Sequence, residues 1–189
     1  MKRHDAGVGQ TRPGRGKPHP HSRRRPARLA DPYRDLAVID SRAPRFNQIV
    51  VGALSAVAVV SGWWLLFGLL ALQLAVGLTL GRRYCLPCLA YFELVQPTFG
   101  EGPLEDSRPP RFANMVGVAF LTAATLAYIG GFEVLGAALG GVVAVLALVA
   151  GTTGLCAGCE AYKLGYVLTG RRFVACPLPP RPSSASQRT

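Results

Sequence analysis

Two long apolar stretches decide what this chain can fold into. Residues 49–81 carry no charged side chain, and residues 115–159 carry only Glu133. One helical crossing of a bilayer takes about 20 apolar residues, so the second stretch crosses twice. Its turn falls at Gly130-Gly131-Phe132-Glu133, where paired glycines break the helix. Taken alone, the first stretch suits either one tilted span or two short ones. Uncharged runs of this length are foreign to soluble cores, so the chain reads as a membrane protein.

A second pattern settles the shorter stretch. Ser41-Arg42-Ala43-Pro44-Arg45-Phe46-Asn47 returns as Ser107-Arg108-Pro109-Pro110-Arg111-Phe112-Ala113-Asn114. Each copy precedes an apolar stretch and then a Cys-x-x-Cys, first Cys85-Leu86-Pro87-Cys88 and then Cys156-Ala157-Gly158-Cys159. A tyrosine, Tyr91 or Tyr162, follows three residues after each second cysteine. Self-similarity in this order reads as duplication, with repeats over residues 39–96 and 105–172. The first stretch then turns as well, at Ser61-Gly62-Trp63-Trp64, where indole rings suit the headgroup region. The expected fold is an all-α membrane protein of four transmembrane helices. They form two parallel-repeated hairpins about a pseudo-two-fold axis along the membrane normal.

Charge orients the hairpins. None of the 21 Lys and Arg residues lies in either apolar stretch or at either turn. By the positive-inside tendency, both termini and the central linker are cytoplasmic in the cell membrane, and both cysteine pairs lie on that face. Residues 1–38 are rich in Arg, Pro and Gly and too poor in apolar side chains to offset ordering entropy, so a disordered tail is expected. Arg23-Arg24-Arg25 and Arg28 would hold this tail to anionic lipid headgroups at about 1 kcal/mol per residue. With Tyr33 as its one aromatic stacking group and no recognition motif, the tail does not read as a nucleic-acid binder. No cleavable signal peptide is expected, and Pro26 argues against a twin-arginine signal at Ser22-Arg23-Arg24-Arg25. Residues 173–189 form a Pro-rich tail, expected to be disordered, in which Cys176 receives no role. His4, His19 and His21 belong to the basic tail and read as solvated groups rather than metal ligands.

The Cys-x-x-Cys spacing brings two sulfurs to one side of a turn, where they can exchange with a disulfide or share a metal. In the redox reading, Cys85 is the better activated thiol. It follows Arg82-Arg83-Tyr84, Pro87 suits a helix start, and a helix over Leu89 to Gln96 would end at Pro97. At the second pair Glu160 disfavours thiolate and Lys163 favours it. Cys85 or Cys156 would attack, Cys88 or Cys159 would resolve, and Glu160 would assist. The expected partner is a soluble thioredoxin-like or sulfur-transfer protein. A reducing cytoplasm makes any disulfide here transient and catalytic. The alternative is a non-enzymatic scaffold in which Cys85, Cys88, Cys156 and Cys159 converge on a structural zinc ion. Ordinary burial of small cysteines between helices is the third possibility. No cofactor is expected in the redox reading, and no quinone, flavin or nucleotide motif is legible. Arg45 and Arg111 either anchor their helices to lipid phosphate or approach the thiols.

Gly154-Leu155-Cys156-Ala157-Gly158-Cys159-Glu160-Ala161-Tyr162, with Pro110-Arg111-Phe112-Ala113-Asn114 upstream, resembles the signature of family 4395 of the domains of unknown function. Its members are small, mainly actinobacterial, multi-pass membrane proteins with a Cys-x-Gly-Cys-Glu motif. The resemblance implies a four-helix membrane protein with no established activity. It marks Cys156, Cys159 and Glu160 as the characteristic residues, and the position of Cys85 and Cys88 as one that can lack cysteine.

Overall fold

The computed structural model describes residues 30–170. The basic cluster at Arg23 to Arg28, the three histidines, Cys176 and the Pro-rich tail lie outside the described residues. The chain runs through β1 (Val38–Asp40), α1 (Arg42–Ser61), α2 (Leu65–Thr79), a 3-10 turn (Arg82–Tyr84) and α3 (Leu86–Ala90). It continues through a π turn (Tyr91–Val95), α4 (Gln96–Phe99), β2 (Leu104–Asp106), α5 (Arg108–Ile129), α6 (Glu133–Thr153) and α7 (Ala157–Leu168).

Three of these helices, α1, α5 and α6, are long and apolar enough to cross a membrane. Helix α2 is apolar but has 15 residues. At 1.5 Å per residue it is about 22 Å long, short of a hydrocarbon core of roughly 30 Å. The breaks fall where glycine permits a left-handed backbone: Gly62 (φ 69°) ends α1, and Gly131 (φ 80°) lies between α5 and α6. Val60, Ile129 and Val134 stay largely exposed on the bundle surface. An outward apolar surface of this extent suits hydrocarbon rather than water.

Close helix contact depends on small residues, as membrane bundles require. Helix α1 packs along α6, and α2 along α5. A Cβ on Gly52 would lie 2.9 Å from both the Leu148 backbone nitrogen and its Cγ, and one on Gly151 would lie 3.1 Å from the Arg45 carbonyl oxygen. Phe67, fully buried with Leu121 and Ala124 in the central core, stacks on Tyr128 at 6.0 Å and fills the space left by Gly140.

The strands tie one end of the bundle together. β1 and β2 pair antiparallel with Ile39 opposite Glu105. The Ser41 N–H donates to the Pro103 carbonyl at 2.9 Å, and the Ser107 N–H to the Ala37 carbonyl at 3.0 Å. Asp40 Oδ1 accepts the Arg42 N–H at 3.0 Å, and Asp106 Oδ1 accepts the Arg108 N–H at 2.9 Å. Aspartates one residue upstream, and not the serine hydroxyls, therefore satisfy these free helix-terminal donors. Asp40 Oδ2 also accepts the Tyr91 hydroxyl (2.9 Å), the Gln96 amide (3.2 Å) and the Gly102 N–H (2.9 Å). Burial and the Asp40 carboxylate push the Tyr91 phenol well above its ordinary range.

Two local expectations are corrected. Residues 30–38, which the composition assigns to the basic tail, pack on the body: Ala30 is buried, and Arg82 donates to the carbonyls of Pro32 (3.1 Å), Asp35 (3.3 Å) and Leu36 (3.0 Å). Pro97 does not end its helix. The turn before it widens, with the Gln96 N–H reaching back to the Tyr91 carbonyl, and α4 carries on to Phe99. A π turn relieves the clash that a proline imposes on a regular helix.

Gly52→Val should lower stability by about 1–3 kcal/mol, because its side chain meets the α6 backbone and not a flexible tip. Thermal unfolding in detergent checks this, with Gly141→Ala as a control whose Cβ meets nothing within 4 Å.

Candidate functional site

Each cysteine pair opens a short helix after a glycine-containing turn. Cys85 is the N-cap of α3 (φ −83°, ψ 103°) and Cys156 the N-cap of α7 (φ −93°, ψ 108°). Tyr91 tilts against Phe46 at 6.0 Å, as Tyr162 does against Phe112 at 5.5 Å. The backbone setting is shared, and the chemistry is not.

Cys85 and Cys88 are bonded to each other as a disulfide, with Cα atoms 5.2 Å apart. Both are buried beside Ala43, Tyr91 and Phe92. The cations expected to activate Cys85 point elsewhere: Arg82 holds the three carbonyls of residues 32, 35 and 36, and Arg83 sits over the Tyr33 ring at 5.4 Å. Burial, with help from the neighbouring Arg111, lowers the Arg82 pKa to about 10.

Cys156 and Cys159 are free thiols, both half-buried. The Cys156 sulfur accepts the Cys159 backbone N–H at 3.3 Å and the Gln48 side-chain amide at 3.3 Å. The Cys159 thiol hydrogen bond is the largest influence on Cys156; with those donors and the Gly158 N–H it outweighs burial and lowers its pKa to about 6. The same hydrogen bond, together with burial, pushes the Cys159 thiol up. Of the two sulfurs, Cys156 is the one whose thiolate its surroundings favour. A Cβ on Gly158 would lie 2.8 Å from the Ala113 Cβ, so glycine lets the cysteine turn rest directly on α5. Glu160 is exposed and bonded to Lys163 Nζ at 2.8 Å, which raises the Lys163 pKa. Its carboxylate serves that ion pair.

Two clefts flank an amide bridge between α1 and α5, in which Asn47 Nδ2 donates to Asn114 Oδ1 at 3.4 Å. One, of about 140 Å³, ends at Cys156 and Gln48. The other, of about 240 Å³, holds Cys85, Cys88, Arg82 and Arg111. The Cys85 sulfur lies 3.9 Å from Asn47 Oδ1. Arg111 reaches the Leu78 carbonyl at 3.4 Å, near the α2 C-terminus. The Arg45 guanidinium carbon lies 2.8 Å from where a Gly154 Cβ would stand, at the α6 C-terminus. Each arginine therefore meets the negative end of a neighbouring helix.

The four cysteines are brought together as two pairs. Among the described residues, no three His, Cys, Asp or Glu side chains are grouped to hold a metal ion. Asn47, Gln48 and Asn114 are site residues that sequence motifs did not supply. Their signal is position: each is an amide at the start of a spanning helix, where polar side chains face the bundle interior and not lipid.

Membrane-length helices with a polarised dithiol at one end define a helical membrane protein with a candidate thiol centre. The chain belongs to the family of the domain of unknown function DUF4395, whose model matches residues 39–166. No curated protein and no solved structure matches it.

The low pKa has a direct readout. With only Cys156 and Cys159 left as cysteines, the alkylation rate should rise through pH 6 and level off above it, where the Cys156 thiolate is fully formed. Gln48→Leu, which removes one donor to the sulfur, should move that midpoint upward. A rate that climbs with an unperturbed midpoint near about 8.5 would contradict the assignment.

Proposed function

We propose that this chain is a four-span membrane protein whose Cys156–Cys159 pair carries out thiol-disulfide exchange at the cytoplasmic face, with a soluble thioredoxin-like or sulfur-transfer partner. One observation carries the reading: the Cys156 sulfur sits at a helix N-cap and accepts hydrogen bonds from Gln48 and from the Cys159 backbone, an arrangement that favours its thiolate. These are the requirements of an attacking thiol. The Cys156 thiolate attacks a partner disulfide, forming a mixed disulfide and releasing one partner thiolate. Cys159 then passes its proton to the departing thiol and bonds to Cys156, leaving the partner reduced and the pair oxidised. The Cys85–Cys88 pair, already bonded and buried, is a second redox couple or a strut. Glu160 contributes through Lys163, which lies one helical turn from Cys159.

The duplicated four-span architecture is part of the same proposal. Matching hydrogen bonds at Ser41 and Ser107, at Asp40 and Asp106, and matching Phe–Tyr contacts support two related halves. Helix α2 would be the fourth span, with Trp63, Trp64 and Leu80 extending its apolar length. The arginines at the cysteine end support a cytoplasmic face for the thiols and both termini, and an anionic leaflet as the partner of the basic tail.

Two experiments bear on this. Cys159→Ser should trap a reductant-sensitive complex between Cys156 and a purified thioredoxin, while Cys156→Ser traps none. Stoichiometric zinc that is lost in every cysteine variant, with no complex formed, would favour the scaffold instead. In a background without native cysteines, Phe132→Cys should label with an impermeant reagent from outside intact cells and Ser107→Cys should not. The reverse pattern would overturn the orientation.

A further inference from the structure

We infer that the cleft behind Cys156 binds a lipid-soluble quinone, the two-electron acceptor for the Cys156–Cys159 dithiol. The inference rests on the exchange reading above and extends it to where the electrons go.

The cleft is polar at one end and apolar along its length. At the mouth stand Cys156, Gln48 and Asn114; deeper walls come from Val116 and Phe120 of α5 and from Val142 and Leu146 of α6. From Asn114 to Phe120 the α5 wall descends about 9 Å, at 1.5 Å per residue, so the apolar part extends toward mid-bundle. Val116, Phe120, Val142 and Leu146 are also partly exposed on the outer surface. In a spanning bundle that surface is covered by acyl chains, so a ligand can enter the apolar part from the bilayer.

The mouth suits a carbonyl-bearing ring. Asn114 offers its Oδ1 to Asn47, and its NH2 group has no partner among the described residues. Gln48 donates to the sulfur itself. A quinone oxygen at the mouth would accept from Asn114 while its ring lay beside the sulfur and its tail lay along the apolar walls. An acyl chain also fits an apolar slot, but a thioester would engage one thiol and leave Cys159 unused. The paired thiols match a two-electron acceptor.

The step balances. The Cys156 thiolate forms a C–S bond to a ring carbon. Cys159 then forms the S–S bond as the C–S bond breaks, and that electron pair remains on the ring. The ring gains two electrons and two protons and leaves as quinol: one proton comes from Cys159, the other is the one Cys156 gave up to solvent on ionising. The pair is restored by the reverse of the exchange described above: a partner thiolate attacks the Cys156–Cys159 disulfide and frees one cysteine, the second partner thiol displaces the other, and the partner leaves as its disulfide.

The test uses the full chain in lipid nanodiscs, reduced and freed of reductant. The probe is a short-tailed benzoquinone substituted at all four non-carbonyl ring carbons, which leaves no free position where a thiol could add irreversibly. It should remove the Cys156 and Cys159 thiols together, join the two in a disulfide, and yield one quinol for that pair. Gly117→Leu, which places a side chain in the cleft wall, should slow this oxidation by about tenfold or more, and exchange with a soluble disulfide should change less than twofold. If that variant does not fold, the tail supplies the second arm: a tetramethylated, tailless quinone at equal concentration should react far more slowly. Soluble-disulfide exchange with no quinone oxidation would overturn this inference alone. Equal rates for tailed and tailless quinones, or a thioester on Cys156, would overturn it too. Failure of both oxidants would overturn the exchange reading with it.

Discussion

The thiol end of this molecule depends on how closely α1 approaches α6. Gly52 and Gly151 remove the side chains that would hold the helices apart. That contact sets Gln48, one turn before Gly52, beside the end of α6, where the chain reverses at Gly154 into Cys156. Moving α1 outward would withdraw the amide from the sulfur. The hydrogen bond that favours the Cys156 thiolate is therefore a product of packing some distance from the cysteine, in the way supporting residues position a reactive group. Hydrocarbon rewards this arrangement, since helix association there depends on close contact and not on expelling water.

The two cysteine turns share a backbone and differ in surroundings. Cys85 lies under Tyr91 and Phe92, with its neighbouring arginines bound to carbonyls and to Tyr33, and is bonded to Cys88. Cys156 is half-buried at the end of its cleft and accepts from the Gln48 amide and the Cys159 N–H. Thiolate reactivity follows exposure and local donors more than spacing, so one motif can serve two ends within one chain. The amide pair of Asn47 and Asn114 stands between the clefts. It separates the bonded pair from the free one while belonging to both walls.

Much of the helix layout was legible because uncharged length and glycine punctuation are one-dimensional signals. The breaks at Gly62 and at Gly130–Gly131 fall where composition put them. The short α2 shows the limit, since apolar character alone does not count the residues that end outside a helix. Membership of the family was legible from the Cys-Ala-Gly-Cys-Glu run and its upstream Arg-Phe segment. Which sulfur gathers hydrogen-bond donors was not. Adjacent arginines in sequence suggested Cys85, yet those side chains turn away, and one of the donors to Cys156 is Gln48, more than a hundred positions earlier. Asp40 was overlooked for the same reason. Its partners Tyr91, Gln96 and Gly102 are local to it only after folding.

As an exchange centre, Cys156 and Cys159 would form a reversible two-electron couple. With Cys156 and Cys159 as the only cysteines left, the membrane-embedded chain is equilibrated across a series of glutathione redox buffers and its alkylatable thiols are counted at each. A reversible couple gives a single transition in which both thiols disappear together, with a peptide joining Cys156 to Cys159 recovered on the oxidised side. Thiols that stay alkylatable across the whole series, or that become alkylatable only after a chelator is added, would contradict it.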